Sequence, residues 1–127
     1  MEKINKKVLV AEDDLDFLSL LCKIFSSSGF DVVYAKDGEE ALSVIEKEKP
    51  DLIILDILMP KIGGIEVAKK LKESDDKTPL MFLTNLKDMT HIASAMESSR
   101  PNSDYIVKSE MRLEDIVTRA KNKLGIK

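Results

Sequence analysis

Four places in the chain put an ionisable or hydroxylic side chain directly behind a short apolar run. They are Glu12-Asp13-Asp14 after "VLVA", Asp56 after "LIIL", Thr84-Asn85 after "MFL" and Lys108-Ser109 after "YIV". Carboxylates brought together repel one another at neutral pH and need a counter-charge. A hard divalent cation with oxygen ligands supplies one, and Mg²⁺ often takes only one or two carboxylates plus a phosphate. Lys108 offers an ammonium suited to a phosphoryl oxygen, and Thr84 offers a hydroxyl donor. A carboxylate such as Asp56 can itself act as a nucleophile and become an aspartyl phosphate. If these residues meet, the set suits holding a phosphoryl group on or beside a carboxylate.

For them to meet, the apolar runs must end side by side. Short runs alternate with amphipathic stretches along the chain. Strands are predicted over 7–11, 31–35, 51–56, 79–84 and 104–108, and helices over 16–29, 37–49, 64–74, 88–99 and 113–124. Gly29 is a plausible helix C-cap and Pro50 stops the second helix. Strands separated by helices of this length run parallel, because the crossover needs the room. Helices on both faces explain strands that are continuously apolar. Ligands of such sheets bind outside the carboxyl ends of the strands, where the four stretches converge. The second strand ends in Ala35-Lys36-Asp37, which reads as turn and helix-cap chemistry. In "DLIILDILMP" the run presents Asp56 at the sheet's edge. Pro60 and Gly63-Gly64 then fold the chain over the site, glycine permitting close backbone approach.

The 127 residues are expected to form one domain, 1–127, with residues 1–6 frayed because nothing apolar ties them down except Ile4. Lys and Arg are interspersed with acids and the net charge is -3, so no nucleic-acid surface is indicated. The single cysteine, Cys22, excludes an internal disulfide and reads as core packing. No apolar run approaches the roughly 20 residues that span a bilayer, and "VLVA" gives way at once to acids, unlike a signal peptide. A soluble cytoplasmic protein is the expectation, without membrane or direct nucleic-acid contact. His91, on a helix predicted to be exposed, reads as a surface residue.

The stretches "VLVAEDD", "DLIILDILMP", "GGIEVAKKL", "MFLTN" and "DYIVKSE", in this order and each tied to a predicted element, make the chain resemble the receiver domain of two-component response regulators over nearly its whole length. The resemblance implies a flavodoxin-like (βα)5 doubly wound parallel sheet with strand order 2-1-3-4-5. It implies that Asp56 is the phospho-acceptor, and that Glu12, Asp13, Asp56 and the Leu58 backbone carbonyl hold Mg²⁺, with Mn²⁺ as an alternative. Thr84 is then the switch hydroxyl, Lys108 the lysine contacting the phosphoryl group, and Tyr105 the aromatic whose rotamer follows Thr84. Asp14 is expected to be a first-turn helix acid. The implied phosphodonor is a sensor histidine kinase or a phosphotransfer protein. The output is a changed surface of the fourth helix, fifth strand and fifth helix toward an unnamed protein target, in a stand-alone monomer or weak dimer.

Departures from the family pattern matter. Ser109 stands where proline usually follows the lysine; a non-proline cis bond costs about 3 kcal/mol, so a trans bond or a locally strained loop is expected. Asn85 is bulkier than the usual small residue and is expected to tune acyl-phosphate lifetime. "MESSRPNSDY" replaces a shorter turn, and Gly63 stands where receivers often have Asp. A haloacid-dehalogenase-type phosphohydrolase needs a second acid two residues after the nucleophile, where this chain has Leu58. A flavodoxin-like cofactor binder needs a phosphate-cradling first loop, which "AEDDLD" would repel. A phosphorylation-independent scaffold with a vestigial acidic site is the remaining alternative; an enzyme proper is not expected.

Overall fold

The computed structural model describes residues 3–85 and 103–126. Five parallel strands form one sheet: β1 (Lys7–Ala11), β2 (Asp31–Ala35), β3 (Leu52–Asp56), β4 (Leu80–Thr84) and β5 (Asp104–Val107), in the order β2-β1-β3-β4-β5. Helices α1 (Leu15–Ser27), α2 (Gly38–Glu48) and α3 (Gly64–Glu73) and a C-terminal helix (Leu113–Lys123) accompany it. The expected helix over 88–99, with His91, lies outside the described residues. This is the expected doubly wound α/β arrangement. Among the described residues no helix is long and apolar enough to cross a membrane.

Side chains on a strand alternate between faces, and here both faces are apolar because both are covered. Val8, Val10, Leu52, Ile54, Met81, Leu83 and Ile106 pack with α1 and the C-terminal helix. Leu9, Ala11, Ile53, Leu55, Leu80 and Phe82 pack with α2 and α3. Every residue of β3 and β4 is buried, which accounts for the uninterrupted apolar runs in the sequence. The edge strand β2 is more open, and Tyr34 on it is exposed.

Local chemistry sets the element ends. Asp14 caps α1, its side chain accepting from the Asp16 and Phe17 N–H groups; it is a cap and not the first-turn acid expected from the sequence. Asp37 caps α2 by accepting from Glu40 N–H. After α1 the Phe30 N–H donates to Phe25 O and Gly29 N–H to Ser26 O, with Gly29 at φ +102°. That is a Schellman motif, and its usual apolar contact is made by the Phe25 and Phe30 rings, whose centroids lie 5.4 Å apart. Two residues of the segment 1–6 make backbone bonds to the turn and strand that follow α1. Ile4 donates its N–H to Gly29 O at 2.8 Å, and Lys6 O accepts from Asp31 N–H at 3.1 Å.

The segment between β3 and α3 lies against the end of the sheet. A Cβ at Gly64 would stand 2.3 Å from the Asp56 carbonyl oxygen, and one at Gly63 2.6 Å from that of Ile57. Gly38, at the start of α2, meets the same segment: its Cβ would lie 1.9 Å from Ile62 O. The glycines therefore set how closely this cover sits over Asp56. Gly64→Ala is expected to destabilise the fold by about 1–3 kcal/mol, the usual range for overpacking, as a lowered urea midpoint; an unchanged midpoint would show that the cover relaxes freely.

Candidate functional site

The register of the sheet brings the polar strand ends together. Ala11 pairs with Leu55, so Glu12 and Asp56 leave the sheet side by side on neighbouring strands. Asp56 pairs with Leu83, placing Thr84 one residue beyond it, and Thr84 pairs with Val107, placing Lys108 one residue beyond that. Each step away from β1 thus moves the polar residue outward by up to one position. Lys108 does not close β5 as expected but opens a 3-10 turn, Lys108–Glu110. The Lys108–Ser109 peptide bond is trans.

Lys108 reaches back past β4 to the acids. Its Nζ donates to Asp56 Oδ2 at 3.1 Å and also to Glu12 Oε1. The other Glu12 oxygen, Oε2, accepts from Asp14 N–H at 3.0 Å. Asp56 Oδ1 accepts from Leu58 N–H at 3.4 Å, a long bond. Glu12, Asp56 and Thr84 are buried, Asp13 is exposed, and the Lys108 side chain retains only 9% of its exposure. Carboxylate oxygens of Glu12, Asp13 and Asp56 lie within 4.8 Å of one another.

The electrostatics follow from that crowding. Burial pushes the Glu12 carboxyl above its ordinary pKa, and closeness to the Asp56 carboxyl adds to this; the bonds from Lys108 and from Asp14 N–H oppose it without cancelling it. For Lys108, burial works against the ammonium, but the bonds to Glu12 and the charge and bond of Asp56 outweigh it, so its pKa is raised. Among the described residues, the Lys108 ammonium pairs with two members of a cluster of three carboxyl groups. The donor set is all oxygen, which suits a hard divalent cation and not a soft one.

The other predicted residues sit around this cluster. Leu58 has an exposed side chain, 54% accessible, and Asn85 is exposed immediately after Thr84. Tyr105 pairs with Phe82 from the edge strand β5, three residues before Lys108, and is half-buried against the α2–α3 side of the core. One participant escaped the sequence reading. The Phe17 ring lies 4.7 Å from Lys108 Nζ, whereas helical spacing marked Phe17 only as part of an apolar face. No sequence signal links two residues so far apart in the chain.

The model of the response regulator receiver domain matches residues 8–121. The chain belongs to that family. As a receiver it is similar to PhoP, the alkaline phosphatase synthesis transcriptional regulatory protein of Bacillus subtilis, being 48% identical over 81 residues, 64% of this chain and 34% of that protein. It is 35% identical to ycf27, a probable transcriptional regulator of Cyanophora paradoxa, over 96% of this chain and 52% of that protein. The receiver thus spans about a third to a half of the length of these relatives. The response regulator TrrA of Thermotoga maritima, solved in complex with Mg²⁺ and BeF, matches it with a TM-score of 0.80 at 27% identity, covering 93% of this chain and 98% of that one. Receivers are signalling domains of two-component systems.

Removing the cation of a buried pair is strongly destabilising because it strands the partner charges. Lys108→Met is therefore expected to cost about 3 kcal/mol at pH 7, measured by urea unfolding without divalent ions. Glu12 binds a proton more readily folded than unfolded, in a window opening above the ordinary glutamate value of 4.5. Lowering the pH toward that value then favours the folded variant, so the loss should be smaller at pH 5 than at pH 7. An equal loss at both pH values would remove the stranded-carboxylate explanation.

Proposed function

We propose that this receiver is a phosphorylation-dependent switch whose acceptor is Asp56, charged by a sensor histidine kinase or a phosphotransfer protein. The observation that carries the reading is the Lys108 ammonium bonded at once to the buried Asp56 and Glu12, at the rim of an oxygen-only acid cluster. In the transfer, an Asp56 carboxylate oxygen attacks phosphorus. An O–P bond forms as the donor's N–P bond breaks, and the departing imidazole keeps the bonding electrons and takes up a proton. Glu12, Asp13, Asp56 and the Leu58 carbonyl would hold Mg²⁺, which supplies charge neutralisation on the phosphoryl oxygens. The rest falls to the chain itself. Lys108, already against Asp56, is placed to transfer one of its hydrogen bonds to a phosphoryl oxygen. The Thr84 hydroxyl turns toward another, and Tyr105 follows it on β5.

The acyl phosphate makes charge-assisted bonds available in one conformer and not in the other, so it shifts a population and creates no new fold. The altered face comprises β5, the C-terminal helix and the predicted helix over 88–99. A protein partner reads it. The competing reading, a phosphorylation-independent scaffold, would leave a buried ammonium and buried carboxylates without chemical purpose.

Intact-protein mass after incubation with acetyl phosphate or phosphoramidate and Mg²⁺ tests the proposal. One added phosphoryl group is expected, absent from Asp56→Ala and absent when EDTA is added first. No adduct together with no Mg²⁺ binding would leave the scaffold. Asn85 sets a second expectation: its exposed amide, next to Thr84, hinders the water that hydrolyses the acyl phosphate. Asn85→Ala should shorten the adduct's lifetime by about tenfold, a barrier change of about 1.4 kcal/mol, followed as decay of the phosphorylated mass. A lifetime unchanged or lengthened would count against that role.

A further inference from the structure

We propose that Phe17 is a positioning residue for the phosphoryl-transfer chemistry, its ring face holding the Lys108 ammonium in place while that ammonium exchanges its partner. This rests on the reading of Asp56 as phospho-acceptor. The Phe17 centroid lies 4.7 Å from Lys108 Nζ, inside the roughly 6 Å over which a ring quadrupole attracts a cation. The Lys108 side chain is nearly buried, and desolvation strengthens such an attraction.

Phe17 does not reach this place by chance of packing alone, because its backbone is tied to the acids. Glu12 Oε2 accepts from Asp14 N–H at 3.0 Å. Asp14 Oδ1 accepts from Phe17 N–H at 3.2 Å. The Phe17 ring faces Lys108, and Lys108 donates back to Glu12 Oε1. The four residues close a circuit around the site. An ammonium has three N–H donors, and Glu12 and Asp56 engage it through hydrogen bonds. Those bonds are directional, and the one to Asp56 must be given up when a phosphoryl oxygen becomes the better acceptor. Attraction to a ring face tolerates lateral movement. It lets Nζ shift from Asp56 Oδ2 toward a phosphoryl oxygen without releasing the lysine into solvent. An aliphatic residue at position 17 would keep the position apolar and offer no such hold.

The test uses a small phosphodonor, so that loss of a protein partner's contacts does not enter. With acetyl phosphate and saturating Mg²⁺, Phe17→Leu is expected to slow phosphorylation of the full chain by about three- to tenfold. Phe17→Tyr should keep the wild-type rate, and Mg²⁺ affinity should be unchanged in both. In the unphosphorylated wild type, the Lys108 ε-methylene protons should show an upfield ring-current shift by NMR, lost in Phe17→Leu and kept in Phe17→Tyr. Wild-type rate in the Leu variant, failure of Tyr to restore a lost rate, or unshifted ε-methylene protons in the wild type would each overturn the positioning role. The last holds even if the Leu variant does not fold. No adduct on the wild type would instead overturn the acceptor reading, and this role with it.

Discussion

A single ammonium held among carboxylates is the constraint on which the rest of the structure depends. Glu12 and Asp56 leave adjacent parallel strands at the same level, so their side chains are forced into proximity by the register of β1 and β3. Burial first, and then the neighbouring Asp56 carboxyl, raise the pKa of Glu12. Lys108 offsets part of this rise. Only a long side chain can do so, because β4 lies between β5 and β3. The ammonium keeps its proton through the charge it faces, despite burial. Among the described residues the cluster holds more carboxylates than the one ammonium bonded to it, a balance that suits a hard divalent cation.

The backbone around Asp56 is as constrained as the side chains. The segment from Ile57 to Gly63 returns over the strand end so closely that Gly64 has no room for a Cβ. Lys61 adopts φ +67° within it, and its ammonium lies 3.7 Å from Asp37 and 3.8 Å from Glu39 at the start of α2. Those ion pairs are exposed on the Lys61 side and contribute little energy. The tight contact of Gly38 with Ile62 is the firmer link. The cover over the site is thus joined to the front of α2 as well as to α3.

Much of this was legible in the sequence for physical reasons. Uninterrupted runs such as Leu52–Leu55 can be satisfied only by a strand buried on both faces, and the helical stretches between runs force parallel pairing. Once the sheet is parallel, Glu12, Asp56, Thr84 and Lys108 must share an edge. The glycine pair after Asp56 foretold close backbone approach. Other features were not legible. The end of β5 depends on a 3-10 turn that the apolar pattern does not signal. Asp14 as a cap rather than a first-turn acid is a one-residue matter of where α1 starts. The contact of Phe17 with Lys108 depends on side-chain direction across two distant elements, which periodicity cannot report. The tie of Ile4 to Gly29 is made by backbone groups, to which composition is blind.

The separation in the chain of the site's two halves has a consequence for how the protein comes into being. Glu12 and Lys108 are 96 positions apart, so their meeting requires β3, β4 and β5 to be laid beside β1 in order. Contacts so distant in sequence form late, because the entropy of closing the intervening loop must be met first. A chain still emerging during synthesis can pair β1, β2 and β3 and gather its acids before Lys108 has arrived. Such an intermediate carries Glu12, Asp13 and Asp56 but lacks the lysine that bonds two of them. Pairing of the acids with Lys108 therefore coincides with completion of β5, the last strand of the sheet to be made.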